Sequence, residues 1–332
     1  MDARFGRLTV DYGLALFILC TLGFVLPRLL PGDPFLAIYG EEALLHMTPE
    51  TKAAIISSLS LDKPPGEQFA AYWLALLRGD LGWSYFFQAP VLSVIGGFLP
   101  WTLLLSGSAL VLSTTAGFVA GVESGARRGS GFDRYSFTAL MALGGIPDFF
   151  IGALLLLAFA VHWPLFPLGG AMTVFGGKSG WALYADVLRH LALPLASLFA
   201  VRLASVYLLT RNTVVGLLGS PFIRTAMAKG CPAATIRYRH IGRSALLPLA
   251  TTTGLQLAHL FAGVLMIEIL FGYPGMGALF GKALAARDYP LLQGILIIGT
   301  LTVLATNFLV DALYPILDAR MRNICTSVTQ QR

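Results

Sequence analysis

Three ionisable residues interrupt otherwise apolar stretches: Asp148, Arg202 and Glu268. A charge within a bilayer costs at least about 2.5–3.5 kcal/mol on insertion scales, so each is expected to face a cavity, a cargo or a partner. Two anions and one cation suit contact with a zwitterionic or chelated solute. They suit a structural ion pair or cap equally, and the residues alone leave both open. Bond-making chemistry has no support. His259 has no nucleophile beside it, and five histidines with three cysteines show neither C-x-x-C nor H-E-x-x-H spacing. Gly176-Gly177-Lys178-Ser179 ends like a phosphate loop, but position 172 is Met where the pattern needs glycine. Gly275-x-Gly277 with Gly281 lacks the βαβ setting of a dinucleotide fingerprint and reads as a turn with a re-entrant segment. The chain is expected to hold no metal or nucleotide and not to be an enzyme.

The most informative stretch runs from Ser220 to Pro248, SPFIRTAMAKGCPAATIRYRHIGRSALLP, polar and basic between two apolar runs. Ser220 suits an N-cap, Pro221 the first helical position, and Gly230 the residue past the helix end. A second helical segment is expected from about Pro232, carrying Arg237, Arg239 and Arg243. A short capped helix tied to two spans can take a push from a soluble partner and pass it into the bilayer.

The positions of these residues depend on membrane spans. Of 332 residues, 56% are hydrophobic and 12% charged, about half the charged share of a soluble domain. Six spans are expected: 8–30, 99–122, 135–161, 190–210, 245–271 and 291–313. Gly144-Gly145-Ile146-Pro147 should kink or break the third, because proline removes a helix hydrogen bond. By rise per residue along a straight span, Asp148 and Arg202 fall at similar depth, which makes a contact conceivable. Basic residues concentrate on one side: about fourteen of the 23 Lys and Arg lie in segments placed inside, which puts both termini in the cytoplasm. The net charge of +6 therefore reflects orientation, not nucleic-acid binding. Cys20, Cys231 and Cys325 all avoid the outer segments, so no disulfide is expected. Domain limits follow: an N-terminal span at 1–30, a small extracytoplasmic domain at 31–98, a transmembrane core at 99–316 enclosing the loop 212–244, and a tail at 317–332. Within 31–98, Thr48-Pro49-Glu50 should start a short helix, and residues 68–77 have helical spacing.

The run R-T-A-x-A-K-G at 224–230, with Ile241 and Leu247-Pro248 further on, resembles the EAA loop of ATP-binding-cassette importer permeases. LLPGDP, LDKPPGEQFAAYW, GDLGWS, IEILFGYPGMG, RDYPLLQG and NFLVDALYPILDAR resemble the dipeptide, oligopeptide and nickel branch, in particular its first permease subunit. The resemblance implies an all-α, six-span permease in a bacterial inner membrane, with Ser220, Pro221, Phe222, Arg224, Thr225, Ala226, Ala228, Lys229 and Gly230 forming a coupling helix. It implies a second permease as heterodimer partner, two ATP-binding subunits that carry ATP and Mg, and an extracytoplasmic binding protein. Ser220-Pro221 replaces the acidic residue that often opens the motif, and Ala319 replaces a usual proline. Glu268 matches a glutamate frequent before F-x-x-P-G-x-G, whereas Asp148 and Arg202 match no signature. A secondary transporter is the alternative, although neither an internal repeat nor a proton-relay chain is visible.

Overall fold

The computed structural model describes residues 2–29, 48, 50, 63–174, 176–177, 179–258 and 264–317. The chain divides into two compact units, Met1–Pro100 with Gly275–Leu304 and Trp101–Pro274 with Ala305–Arg332, each described here by itself. Helices dominate. The only strands among the described residues form a ladder of two two-residue strands.

In the first unit, α1 (Asp2–Leu29) meets α2 (Pro65–Leu77), which covers the expected 68–77 and starts three residues earlier, on Pro65. Aromatic rings join the two. Phe17 stacks on Trp73 with centroids 5.0 Å apart, Phe24 meets Phe69 edge-on at 5.2 Å, and the Tyr72 hydroxyl donates to the Cys20 carbonyl at 3.1 Å. Strands β1 (Trp83–Ser84) and β2 (Ala89–Pro90) pair antiparallel and lead into α3 (Val91–Ala126). The proposed helix start at Thr48-Pro49-Glu50 lies outside the described residues except for Thr48 and the helical Glu50, as does most of 31–62.

In the second unit, α4 (Gly131–Gly144) and α5 (Asp148–Leu156, continued as a π-helical run Leu157–His162) cover the residues of the expected third span. The break is larger than a kink: the two arms meet at 95°. Gly145 and Ile146 close a tight last turn with i→i−3 bonds to Ala142 and Leu143. Pro147, with φ −59° and ψ 141°, is extended and has no N–H to offer the preceding turn. Rise per residue no longer adds along one axis, so the depths of Asp148 and Arg202 cannot be counted along a straight span.

Helix α6 (Trp181–Leu217) has 37 residues, about 55 Å at 1.5 Å per residue against about 30 Å of hydrocarbon. It starts nine residues before the expected span, so the outer connection is shorter than 162–189. Then come α7 (Pro221–Ala228), a π-helical run Thr235–Gly242, α8 (Arg243–Ala258) and α9 (Leu265–Leu270). His259 lies outside the described residues, as do Lys178 and Cys325. The Gly275-x-Gly277 segment opens α10 (Met276–Ala285), a short apolar helix, and α11 (Tyr289–Leu317) closes the described chain.

Helices α4, α5 and α8 pack on α6, and α9 packs on α5. Along α3, Gly117, Gly121 and Gly125 form a stripe at every fourth residue against α6. A Cβ at these positions would come within 2.7 Å of Val206, Thr210 and Val214 side chains respectively. Small residues at i, i+4, i+8 let two backbones approach closely, the usual solution where lipid supplies no hydrophobic drive. Among the described residues, three helices, Val91–Ala126, Trp181–Leu217 and Tyr289–Phe308, are long and apolar enough to cross a membrane, and the bent pair, if one span, makes up to four. The protein is a helical, polytopic membrane protein.

Candidate functional site

The loop after α6 builds a small, well-defined element. Pro221 occupies the first turn of α7, as expected, but the Ser220 hydroxyl does not cap it. Its Oγ donates to the Leu217 carbonyl at 2.6 Å, satisfying an orphan acceptor at the end of α6. The backbone carbonyl of Ser220 instead takes the first helical N–H groups, from Ile223 and Arg224. At the other end Gly230 sits at φ +71°, where an L-residue with a Cβ is strained. Gly230 N–H donates to Met227 O and Cys231 N–H to Ala226 O, the paired bonds of a Schellman stop.

Two of the eight residues turn inward. Ile223 and Ala226 pack with Val122, Val214, Ile236, Ile241 and Ala245. Ala226 therefore faces its own subunit: with Ile223 at i and Ala226 at i+3, the apolar stripe is the anchor. Outward stand Pro221, Phe222, Arg224, Thr225, Met227, Ala228, Lys229 and Gly230, with Phe222 41% and Met227 52% exposed.

Two carboxylates hold the flanks. Asp133, buried on α4, receives a two-pronged bond from Arg211 of α6, Nε to Oδ1 at 2.6 Å and Nη2 to Oδ2 at 3.0 Å. Ser124 Oγ donates to Asp133 Oδ1 at 2.6 Å and Gly129 N–H to Oδ2 at 2.9 Å. Because the one Ser124 proton is committed there, the Tyr207 hydroxyl, 2.6 Å away, must donate to Ser124 Oγ. The Arg211 guanidinium also lies 4.4 Å over the Phe137 ring. On the far flank, Arg237 Nη1 reaches both oxygens of Glu123 at 2.9 Å, the Tyr238 hydroxyl donates to Oε1 at 2.8 Å, and Arg127 Nε stands 3.1 Å from Oε2. The bond to the Glu123 carboxylate holds the Tyr238 proton in place and pushes its pKa up.

The intramembrane charges stand apart from this element. Asp148 occupies the first turn of α5, where its Oδ1 accepts the Phe149 N–H at 2.7 Å and complements the helix dipole. Arg202, half-buried on α6, donates from Nη1 to the Ser106 carbonyl at 3.1 Å. Each side chain bonds to nearby backbone and no direct ion pair joins the two, yet Asp148 lies close enough to attract Arg202 electrostatically. Glu268 is fully buried in α9 and accepts the Thr102 hydroxyl at 2.6 Å. No group of His, Cys, Asp and Glu among the described residues is placed to hold a metal.

Residues 113–323 match the family described as binding-protein-dependent transport system inner membrane component, a segment that holds α7, both carboxylates and all three intramembrane charges. The chain belongs to that family. It is 32% identical to the dipeptide transport system permease protein DppB of Escherichia coli strain K12, over 92% of this chain and 98% of that one. To the di/tripeptide transport system permease protein DppB of Pseudomonas aeruginosa strain UCBPP-PA14 it is 35% identical, over 91% and 93%. A probable peptide ABC transporter permease protein, y4tP of Sinorhizobium fredii, is 33% identical over 90% and 92%. This inner-membrane component is thus a permease of the ABC type, similar along nearly its whole length to peptide-transport relatives.

Sequence reasoning passed over Glu123, Asp133 and Arg211. Their partners lie 78 and 114 residues away, a separation that no local period reveals. The glycine stripe at 117, 121 and 125 was legible as a repeat of four.

Proposed function

We propose that the chain is one of two permease subunits, in a heterodimer, of an ATP-driven importer for peptides, with a nickel or metal chelate as the other cargo of the same branch. Six spans are proposed, with both termini in the cytoplasm. Two ATPase subunits carrying ATP and Mg bind the cytoplasmic loops, and an extracytoplasmic binding protein delivers cargo. Helix α7 is the coupling element: it meets the ATPase through Phe222, Arg224, Thr225, Met227, Ala228 and Lys229, with Ser220, Pro221 and Gly230 setting its ends. Closure of the ATPase pair displaces α7 and switches the cavity from inward- to outward-facing. Asp148, Arg202 and Glu268 are proposed to border the path.

The observation that supports this reading most is α7 itself, a capped helix fastened inward by Ile223 and Ala226 that leaves Phe222 and Met227 exposed. Large apolar side chains exposed on a basic cytoplasmic helix suit a protein groove better than water. Reconstituted with the subunits encoded beside it, the permease should take up a radiolabelled dipeptide mixture only when binding protein and ATP are both present. Equal uptake without ATP, driven by an ion gradient, would establish the secondary-transporter alternative instead.

A further inference from the structure

An eight-residue helix cannot fix its own orientation. The apolar contacts of Ile223 and Ala226 attach α7 to the subunit, but hydrophobic contact is non-directional and permits rolling and sliding. Direction must come from bonds with fixed geometry, and these lie on either flank. Arg211 precedes α7 and grips Asp133 with its planar fork; Arg237 follows α7 and binds Glu123. The two carboxylates bracket one short turn, from the end of α3 at Glu123 to the first turn of α4 at Asp133. Ser124 and Tyr207 bond across the same corner, so α3, α4 and α6 meet in one polar junction. From that corner α4 runs to the 95° break at Pro147.

We infer that Glu123 and Asp133 are positioning residues for energy coupling, which clamp both flanks of α7 to the α3–α4 corner so that a displacement of α7 is delivered to the bent span. This rests on the reading of α7 as the ATPase-coupling helix. Neither carboxylate touches cargo or nucleotide; each acts through its arginine. The clamp makes α7 and the corner one body, whereas an unclamped α7 yields to the ATPase and leaves the span behind. Loss of a clamp should therefore separate ATP hydrolysis from transport, an effect distinct from simple loss of protein.

The test uses the assembled transporter, co-expressed with its neighbouring subunits and reconstituted into proteoliposomes, with radiolabelled dipeptide mixture as probe. Uptake and ATP hydrolysis are measured together for the parent, Glu123→Gln, Asp133→Asn, Arg237→Gln and Arg237→Lys. Uptake per ATP hydrolysed should fall about threefold to tenfold in Glu123→Gln, Asp133→Asn and Arg237→Gln, with the ATPase still co-purifying. Arg237→Lys should keep the parent ratio, since a single Nη1 makes the contact to both oxygens and an ammonium can replace it. A parent-like ratio in Glu123→Gln or Arg237→Gln, or a parallel fall of uptake and hydrolysis in both, overturns the inference. If a carboxylate variant fails to insert, the two Arg237 variants decide, because their residue is half-buried at the membrane edge. An ATPase that does not co-purify even with the parent overturns the coupling reading and the inference with it. A coupled parent beside equally coupled variants overturns the inference alone.

Discussion

Asp288 and Ser84, 204 residues apart in the chain, meet side chain to side chain in the buried interior of the first unit, Ser84 Oγ donating to Asp288 Oδ2 at 2.5 Å. The same carboxylate accepts the N–H of Phe86 at 3.0 Å, and its other oxygen accepts the N–H of Leu291 at 3.1 Å. The motif GDLGWS, which turns the chain through Gly82 at φ +84°, is thereby fastened to the first turn of α11 in RDYPLLQG. Two motifs that carry the family resemblance are two halves of one bonded cluster.

Asp288→Ala removes an acceptor from three donors at once. A buried donor left unpaired costs about 1–3 kcal/mol, so the variant should lose at least about 2 kcal/mol and unfold measurably earlier in detergent. Asp288→Asn, which still offers one carbonyl oxygen, should lose less. A melting temperature equal to the parent's in Asp288→Ala would show that the cluster carries no stability.

Part of this architecture was legible in the sequence and part was not. Pro147 with its two preceding glycines announced a broken span, and Gly230 announced the end of α7, because both act through their own backbone. The inward side of α7 was not legible, since eight residues give barely two turns and the polar neighbours obscure the i, i+3 anchor of Ile223 and Ala226. The Ser220 hydroxyl was expected to serve its own helix, yet the end of α6 competes for it. Glu123 and Asp133 carry no local signature, and only the tertiary approach of Arg237 and Arg211 gives them a role.

The glycine stripe predicts a graded response. Gly121→Ala places a Cβ 2.7 Å from Thr210 Cβ and 2.9 Å from the Tyr207 carbonyl, atoms that cannot simply swing away. Overpacking of this kind costs about 1–3 kcal/mol. Gly107→Ala on the same helix meets nothing within 4 Å and should be neutral or slightly stabilising. Thermal unfolding of the two purified variants checks the contrast, and equal melting temperatures would contradict the close approach of α3 and α6.

Asp148 and Arg202 make separate backbone contacts but attract one another electrostatically, so their effects should not simply add. The double variant Asp148→Ala/Arg202→Ala should lose less than the sum of the single effects, by about 0.5 kcal/mol or more. Strict additivity would show that the attraction carries no stability. If each single variant transports like the parent, neither residue borders the path.

Orientation is testable with thiols. In a background with Cys20 and Cys325 replaced, Ser179→Cys should react with an impermeant maleimide added to intact cells. Native Cys231, half-buried beside the Schellman stop, should react only after the membrane is opened. Labelling of Cys231 in intact cells would invert the topology and remove α7 from the cytoplasm.

The central claim is that the outward face of α7 is the docking surface for an ATPase. Phe222→Glu places a charge on that face without entering the subunit's own core, where Ile223 and Ala226 hold the helix. The most direct measurement is the affinity of the purified permease assembly for its ATPase subunit, parent against Phe222→Glu. Loss of a central apolar anchor costs about 2 kcal/mol or more, roughly a thirtyfold weakening, and dipeptide uptake should fall with it. Parent-like affinity and uptake in Phe222→Glu, with the protein correctly inserted, would contradict the account.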